Sequence, residues 1–168
     1  MEQAASGAFE RLRPHAQSVD LGNVDESTFR SFFLAALKEE CPGAHCQTEW
    51  HTFDLLVQHA GLNALIEFKF LVMRRTQELD GRRGHWKGEA GTQNEDEFWA
   101  CVKKLREQRY PVKHKYVLLV YQKSYPLRSK YSFAKSYDNL AHDRGISTVT
   151  DIQHCMGETL ACKLIEVA

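Results

Sequence analysis

The feature that most limits what this chain can fold into is a pair of short apolar segments interrupted by charge, Phe53-Asp54-Leu55-Leu56-Val57 and Ala64-Leu65-Ile66-Glu67-Phe68-Lys69-Phe70. The tight connection His59-Ala60-Gly61-Leu62 joins them, so they read as adjacent antiparallel strands. Side chains alternate along a strand, so Glu67 and Lys69 share one face while Ile66, Phe68 and Phe70 share the other. One face is therefore committed to the core, and charge stands on the other where a strand interior would favour apolar residues. Asp54 opens the preceding strand, and pairing through the short turn brings its carboxylate beside Glu67.

The rest of the chain supplies elements around this pair. Phe29, Phe32, Phe33, Ala36 and Leu37 recur at helical spacing between Asp25 and Glu40, with Asp25 or Ser27 as the N-cap and Pro42-Gly43 as the stop. His45 to Trp50, Phe53 to Gln58 and Asn63 to Leu71 read as a three-stranded meander. Arg74 to Thr92 is polar, rich in Gly and Arg, and reads as a long loop with Trp86 embedded in it. Thr92 and Glu95 have capping-box spacing, and Phe98, Trp99, Val102 and Leu105 give a second helix its buried stripe before Tyr110-Pro111. Tyr116 to Tyr121 reads as a strand covered on both faces, the interior strand of a mixed sheet. A further helix is expected from Phe133 to Arg144, and short edge strands around Ile146 to Val149 and Ala161 to Val167. The first 20 or so residues are expected to fray. The whole reads as a single α/β domain, residues 1–168, with a mixed central sheet flanked by helices.

Composition narrows the function classes. No apolar run approaches the roughly 18 residues needed to cross a bilayer, and the N-terminus lacks a signal-peptide core, so no membrane partner and a cytoplasmic location are expected. The five cysteines, Cys41, Cys46, Cys101, Cys155 and Cys162, contain no Cys-x-x-Cys pair, which argues against a disulfide framework or a zinc ribbon. Cys41, His45, Cys46 and His51 fit no standard zinc spacing, and Cys155 beside His154 has no orienting partner for thiol catalysis. Formal net charge is zero, yet residues 1–68 carry ten acids against four Lys or Arg, and residues 69–168 carry eighteen Lys or Arg against twelve acids. Between Lys103 and Lys135 ten basic residues face only Glu107, a stripe able to neutralise phosphates or simply to be solvated.

Two carboxylates side by side repel unless a cation lies between them, and oxygen ligands without His or Cys favour Mg²⁺ or Mn²⁺ over zinc. Such an ion polarises a phosphate oxygen and acidifies a bound water. Lys69 beside it can orient that water, stabilise the transition state or, if burial lowers its pKa, act as a base. The pattern Asp54, twelve residues, Glu67-Phe68-Lys69 resembles the PD-(D/E)XK superfamily of nucleases and restriction endonucleases, and the element order over about residues 25 to 122 resembles its α-β-β-β-α-β core. Phe53 stands where the family name has Pro. The resemblance implies a restriction endonuclease-like fold, here followed by a C-terminal helix and short strands.

It further implies Asp54 and Glu67 as metal ligands, the Phe68 backbone carbonyl as another, and Lys69 as the catalytic lysine. Glu26 is the first choice for a fourth acid, with Glu40 and Glu49 as rivals; Lys103 or Gln93 would be the helical polar residue that members often carry. The implied activity is Mg²⁺-dependent hydrolysis of phosphodiester bonds in nucleic acid, DNA before RNA, by an endonuclease; small proteins of this kind often form homodimers to cut two strands, and the strand preference and oligomeric state are left open. Arg74, Arg75, Arg82, Arg83, Lys103, Lys104 and Trp86 are the expected nucleic-acid contacts. The competing expectation from another class is a non-catalytic regulator or inhibitor using the same fold as a scaffold.

Overall fold

A computed structural model describes residues 1–16, 24–72, 74–77, 83–87, 92–122, 137, 140, 144–152 and 160–168. In chain order the elements are α1 (Glu2–Glu10), α2 (Arg13–Ala16), α3 (Glu26–Glu40), β1 (His45–Trp50), β2 (Phe53–His59), β3 (Leu62–Leu71), β4 (Arg74–Gln77), β5 (Arg83–Lys87), α4 (Thr92–Glu107), β6 (His114–Gln122), β7 (Ile146–Ile152) and β8 (Leu160–Val167). Six strands form a mixed sheet in the order β1-β2-β3-β6-β8-β7. The β3–β6 pair is parallel, and the other neighbours in that sheet are antiparallel.

Alternation along β3 sorts its side chains between two hydrophobic layers. Ile66 and Phe68 join Phe29, Phe33 and Leu37 of α3 together with Ala4, Ala5, Ala8 and Phe9 of α1. Leu65 and Leu71 join Phe98, Val102 and Leu105 of α4. Phe68 is wedged between Phe29 and Phe33, with ring centroids 6.3 and 5.4 Å away in edge-to-face geometry, an arrangement that adds roughly 0.5–1.5 kcal/mol per pair to the area buried. Asp25 caps α3 by accepting the Thr28 N–H at 2.8 Å. That cap fixes where α3 begins, and so where Glu26 stands.

The α/β layering, the β1–β3 meander and the doubly buried β6 follow the sequence reading. Several elements differ from it. The N-terminal segment forms α1 in place of a frayed tail, because its small residues let it lie close against α3: a Cβ added at Gly7 would come within 3.0 Å of the Ala36 Cβ. Part of the expected loop 74–92 is a two-stranded antiparallel sheet, β4–β5, with Arg74 opposite Lys87 and Arg75 opposite Trp86. Strand β8 is interior, between β6 and β7, so of the two C-terminal strands only β7 is an edge. The expected helix from Phe133 to Arg144 lies outside the described residues except for Tyr137, Leu140 and Arg144.

The β1–β2 turn uses uncommon backbone at two positions. Trp50 pairs with Phe53 to close the β1–β2 turn, and Glu49 (φ 51°) and His51 (φ 54°) there adopt left-handed conformations without being glycine. Among the described residues no helix is long and apolar enough to cross a membrane.

Candidate active site

The β2–β3 ladder is continuous from His59↔Leu62 to Leu55↔Ile66 and then stops. Extending its register by one step would place Asp54 opposite Glu67. There a side chain takes over from the backbone: Asp54 Oδ2 accepts the Phe68 N–H at 2.8 Å. The carboxylate satisfies a strand donor that the ladder leaves behind, and this contact fixes Asp54 where β2 and β3 part.

The other charges arrive from three elements. Glu67 and Lys69 project from β3 by alternation. From α3, Glu26 Oε2 accepts the Phe70 N–H at 3.3 Å and lies 3.8 Å from Lys69 Nζ. One turn further along α3, Arg30 lies between Glu49, to which it hydrogen-bonds, and Asp54 Oδ1, 3.6 Å away. From α4, Lys104 Nζ lies 2.7 Å from Glu67 Oε1, donates to the Thr52 carbonyl at 2.7 Å and sits 5.1 Å from the centre of the Phe53 ring. Glu67 is only 2% exposed. Its charge is met by the Lys104 ammonium, and the Asp54 backbone also favours its ionised form.

Electrostatics bind the group together. Burial pushes the Glu67 carboxyl above its usual range, with Lys104 opposing and Asp54 adding to the rise. Glu26 is raised for the same first reason, with Lys69 opposing. For Lys69, burial pulls down, but Glu26, then Cys101, Asp54 and Glu67, outweigh it, so the ammonium is held above its usual range. The base role that a lowered pKa would give Lys69 is thus not supported. Cys101, one helical turn before Lys104, is pushed by burial up to about 11 and stays a neutral thiol at neutral pH.

Asp54, Glu67, Lys69 and Glu26 therefore share one site. Glu49 is held by Arg30, and Glu40 lies at the far end of α3, so neither competes with Glu26 as the fourth acid. Of the polar residues on α4, Lys104 is the one that reaches Glu67, while Lys103 is exposed and Gln93 is exposed and bonded to Glu97. Lys104, expected as a nucleic-acid contact, lies 2.7 Å from Glu67 Oε1. Arg74, Arg75, Arg83 and Trp86 place their backbones in β4 and β5, and Arg82 lies outside the described residues. Sequence reading missed Arg30, whose signal is its four-residue spacing from Glu26 on one helical face. No family profile, curated protein or solved structure matches the chain.

Among the described residues no three His, Cys, Asp or Glu side chains are gathered into a ready-made metal cluster. The donors at the parting of β2 and β3 are two carboxylates, one of them buried. That set fits a hard divalent ion, which takes one or two carboxylates and keeps several of its waters.

Proposed function

We propose that this chain is a metal-dependent nuclease with a PD-(D/E)XK, restriction endonuclease-like core, hydrolysing phosphodiester bonds of nucleic acid, DNA in preference to RNA. The observation that carries the reading is the convergence of Asp54, Glu67 and Lys69 where the β2–β3 ladder stops, joined by Glu26 from α3 and Lys104 from α4. Asp54, Glu67 and the Phe68 carbonyl would hold Mg²⁺ or Mn²⁺. When bound, such an ion supplies Lewis-acid polarisation of the phosphate and an acidified water.

The chain's own residues do the rest. Lys69, kept as an ammonium by its acidic neighbours, places positive charge and a proton donor beside the phosphorus, where negative charge develops as water adds and the bridging oxygen leaves. Glu26 positions Lys69 and holds the end of β3 through Phe70. Lys104, one-third exposed, balances the charge of Glu67.

One observation favours the second reading, a non-catalytic scaffold of the same fold. Each acid at the site already has a cation near it, Glu26 with Lys69, Asp54 with Arg30 and Glu67 with Lys104, so the cluster is balanced without an added ion. The deciding experiment is cleavage of linear, circular and single-stranded DNA in Mg²⁺, Mn²⁺ and EDTA, with Asp54→Ala and Lys69→Ala beside the wild type. Metal-dependent cutting lost in both variants supports the nuclease; no cutting by folded protein, or cutting that survives both changes, selects the scaffold.

A further inference from the structure

Beside the charged site lies an aromatic cluster that the proposed chemistry does not use. Tyr110, in the segment after α4, is 38% exposed, the single exposed large hydrophobic among the described residues. The His51 ring lies nearly parallel to it, 17° between planes and 5.0 Å between centres, and is itself exposed. Trp50 meets both edge-on, at 4.4 Å from His51 and 4.6 Å from Tyr110. Buried Phe53 backs the group, 6.2 Å from Tyr110 and 6.4 Å from Trp50.

The cluster is held in place from both sides. The Tyr110 N–H donates to Gln108 Oε1 at 2.6 Å, and its carbonyl accepts the Val112 N–H at 2.7 Å. His51 occupies a left-handed backbone conformation that L-residues adopt at a cost, and it is a cost that the fold sustains on the very residue whose ring meets Tyr110. The link to the charged site is direct. Phe53 adjoins Asp54, and the Lys104 ammonium that lies 2.7 Å from Glu67 also lies 5.1 Å from the Phe53 ring centre. Arg109, next to Tyr110, is exposed. A solvent-facing aromatic surface with cations at its margin, next to the charged site, matches the chemistry of an unpaired nucleotide: its base offers a π-face for stacking and its phosphate a partner for the cation.

Building on the nuclease reading above, we infer that Tyr110 and His51, braced by Trp50, form a stacking platform for an unpaired base flanking the phosphate presented to Asp54, Glu67 and Lys69. The substrate class is accordingly single-stranded nucleic acid, or a duplex with a splayed end or flap, over a flush duplex. Stacking is indifferent to base identity, so the platform confers strand preference without sequence preference.

The test is fluorescence-anisotropy titration of a labelled oligo(dT) and of a blunt duplex of equal length in EDTA, which prevents metal-dependent cutting. Wild type, Tyr110→Ala, Tyr110→Phe and His51→Ala are compared, and Mg²⁺-dependent cleavage is assayed for each. Tyr110→Ala is expected to weaken oligo(dT) binding about tenfold while changing duplex binding by less than about twofold. Tyr110→Phe keeps the ring and should bind as the wild type does, and His51→Ala should fall between. Equal losses on both substrates, or no loss in either alanine variant, overturns the platform; if metal-dependent cutting persists in that case, the nuclease reading stands. Wild-type protein that binds neither substrate overturns the platform, and the nuclease reading falls with it if Mg²⁺-dependent cleavage is also absent.

Discussion

Two charged side chains among the described residues are buried in the sheet, and they live in different ways. Glu67 on β3 stands where two strands part, among Asp54, Lys69, Lys104 and, further off, Glu26. Lys163 on β8 is 5% exposed and reaches out to a single partner, Asp151 on the neighbouring edge strand, 2.5 Å away and itself largely exposed. Position on the sheet does not separate them. Lys163 lies in the same cross-strand row as Lys69, through Leu119. Company does: Lys163 runs its stem along apolar surface and discharges at the rim, whereas Glu67 is kept among other charges, where burial and then Asp54 raise its proton affinity against the opposing Lys104. A buried charge with one exposed partner is compatible with packing alone. A buried charge among several others, at a place where backbone pairing is given up, calls for a chemical explanation.

That contrast can be broken most forcefully by activity. Lys69→Ala and Asp54→Ala are expected to lower Mg²⁺-dependent cleavage by about 10²–10³-fold or more, measured as initial rates on a nicking substrate. Lys163→Met should leave the same rate within about twofold, since nothing in the proposed chemistry passes through it. A comparable loss in Lys163→Met would erase the distinction.

Stability should move the other way. Because burial raises Glu67 above the usual 4.5, its ionised form costs stability at neutral pH. Glu67→Gln is therefore expected to abolish metal-dependent cutting and yet raise the Tm of the metal-free protein by about 2–4 °C, roughly 1 kcal/mol for a chain of this size. A lower Tm would mean that the Lys104 contact outweighs the burial cost. Lys163→Met should be neutral or stabilising by about 1 kcal/mol in a urea titration, since an apolar side chain of similar volume replaces a buried ion.

The pH dependence sharpens the same point. Between the unfolded value near 4.5 and the raised folded values of Glu26 and Glu67, the folded chain holds more protons than the unfolded one. The contribution of these two groups to stability therefore falls as pH rises through that window, and Glu67→Gln should flatten the slope of Tm against pH there. Metal binding runs oppositely, weakening as pH falls through the same window because the ligand must be ionised. The smallest expected effect distinguishes two neighbours on one helix: Lys104→Ala should move the metal-binding midpoint to higher pH, as Glu67 loses its opposing charge, and Lys103→Ala should leave it in place.

The elements legible in the sequence were those governed by short-range periodicity. Alternation along 62–71 placed Glu67 and Lys69 on one face, and the short turn brought Asp54 to the right end of β2. Choices that depend on distant chain were less so. Selecting Glu26 over Glu40 and Glu49 required knowing which end of α3 meets β3, a contact 44 residues apart in sequence. Lys103 and Lys104 differ by about 100° of helical phase, too fine a step to settle from the buried stripe alone. Helix α1 was hidden because, Phe9 apart, its packing surface is Ala and Gly, which give little hydrophobic signal yet allow very close approach.

The β1–β2 turn carries a lesson for anyone redesigning this chain. Glycine at 49 or 51 would relax a left-handed backbone and make the isolated turn easier to form, as a search guided only by local conformation would recommend. It would also delete the carboxylate that holds Arg30 against Asp54, or the ring that meets Tyr110. At these two positions ease of turn formation and the contacts the turn presents thus pull in opposite directions, and a chain optimised for the first alone would lose the second.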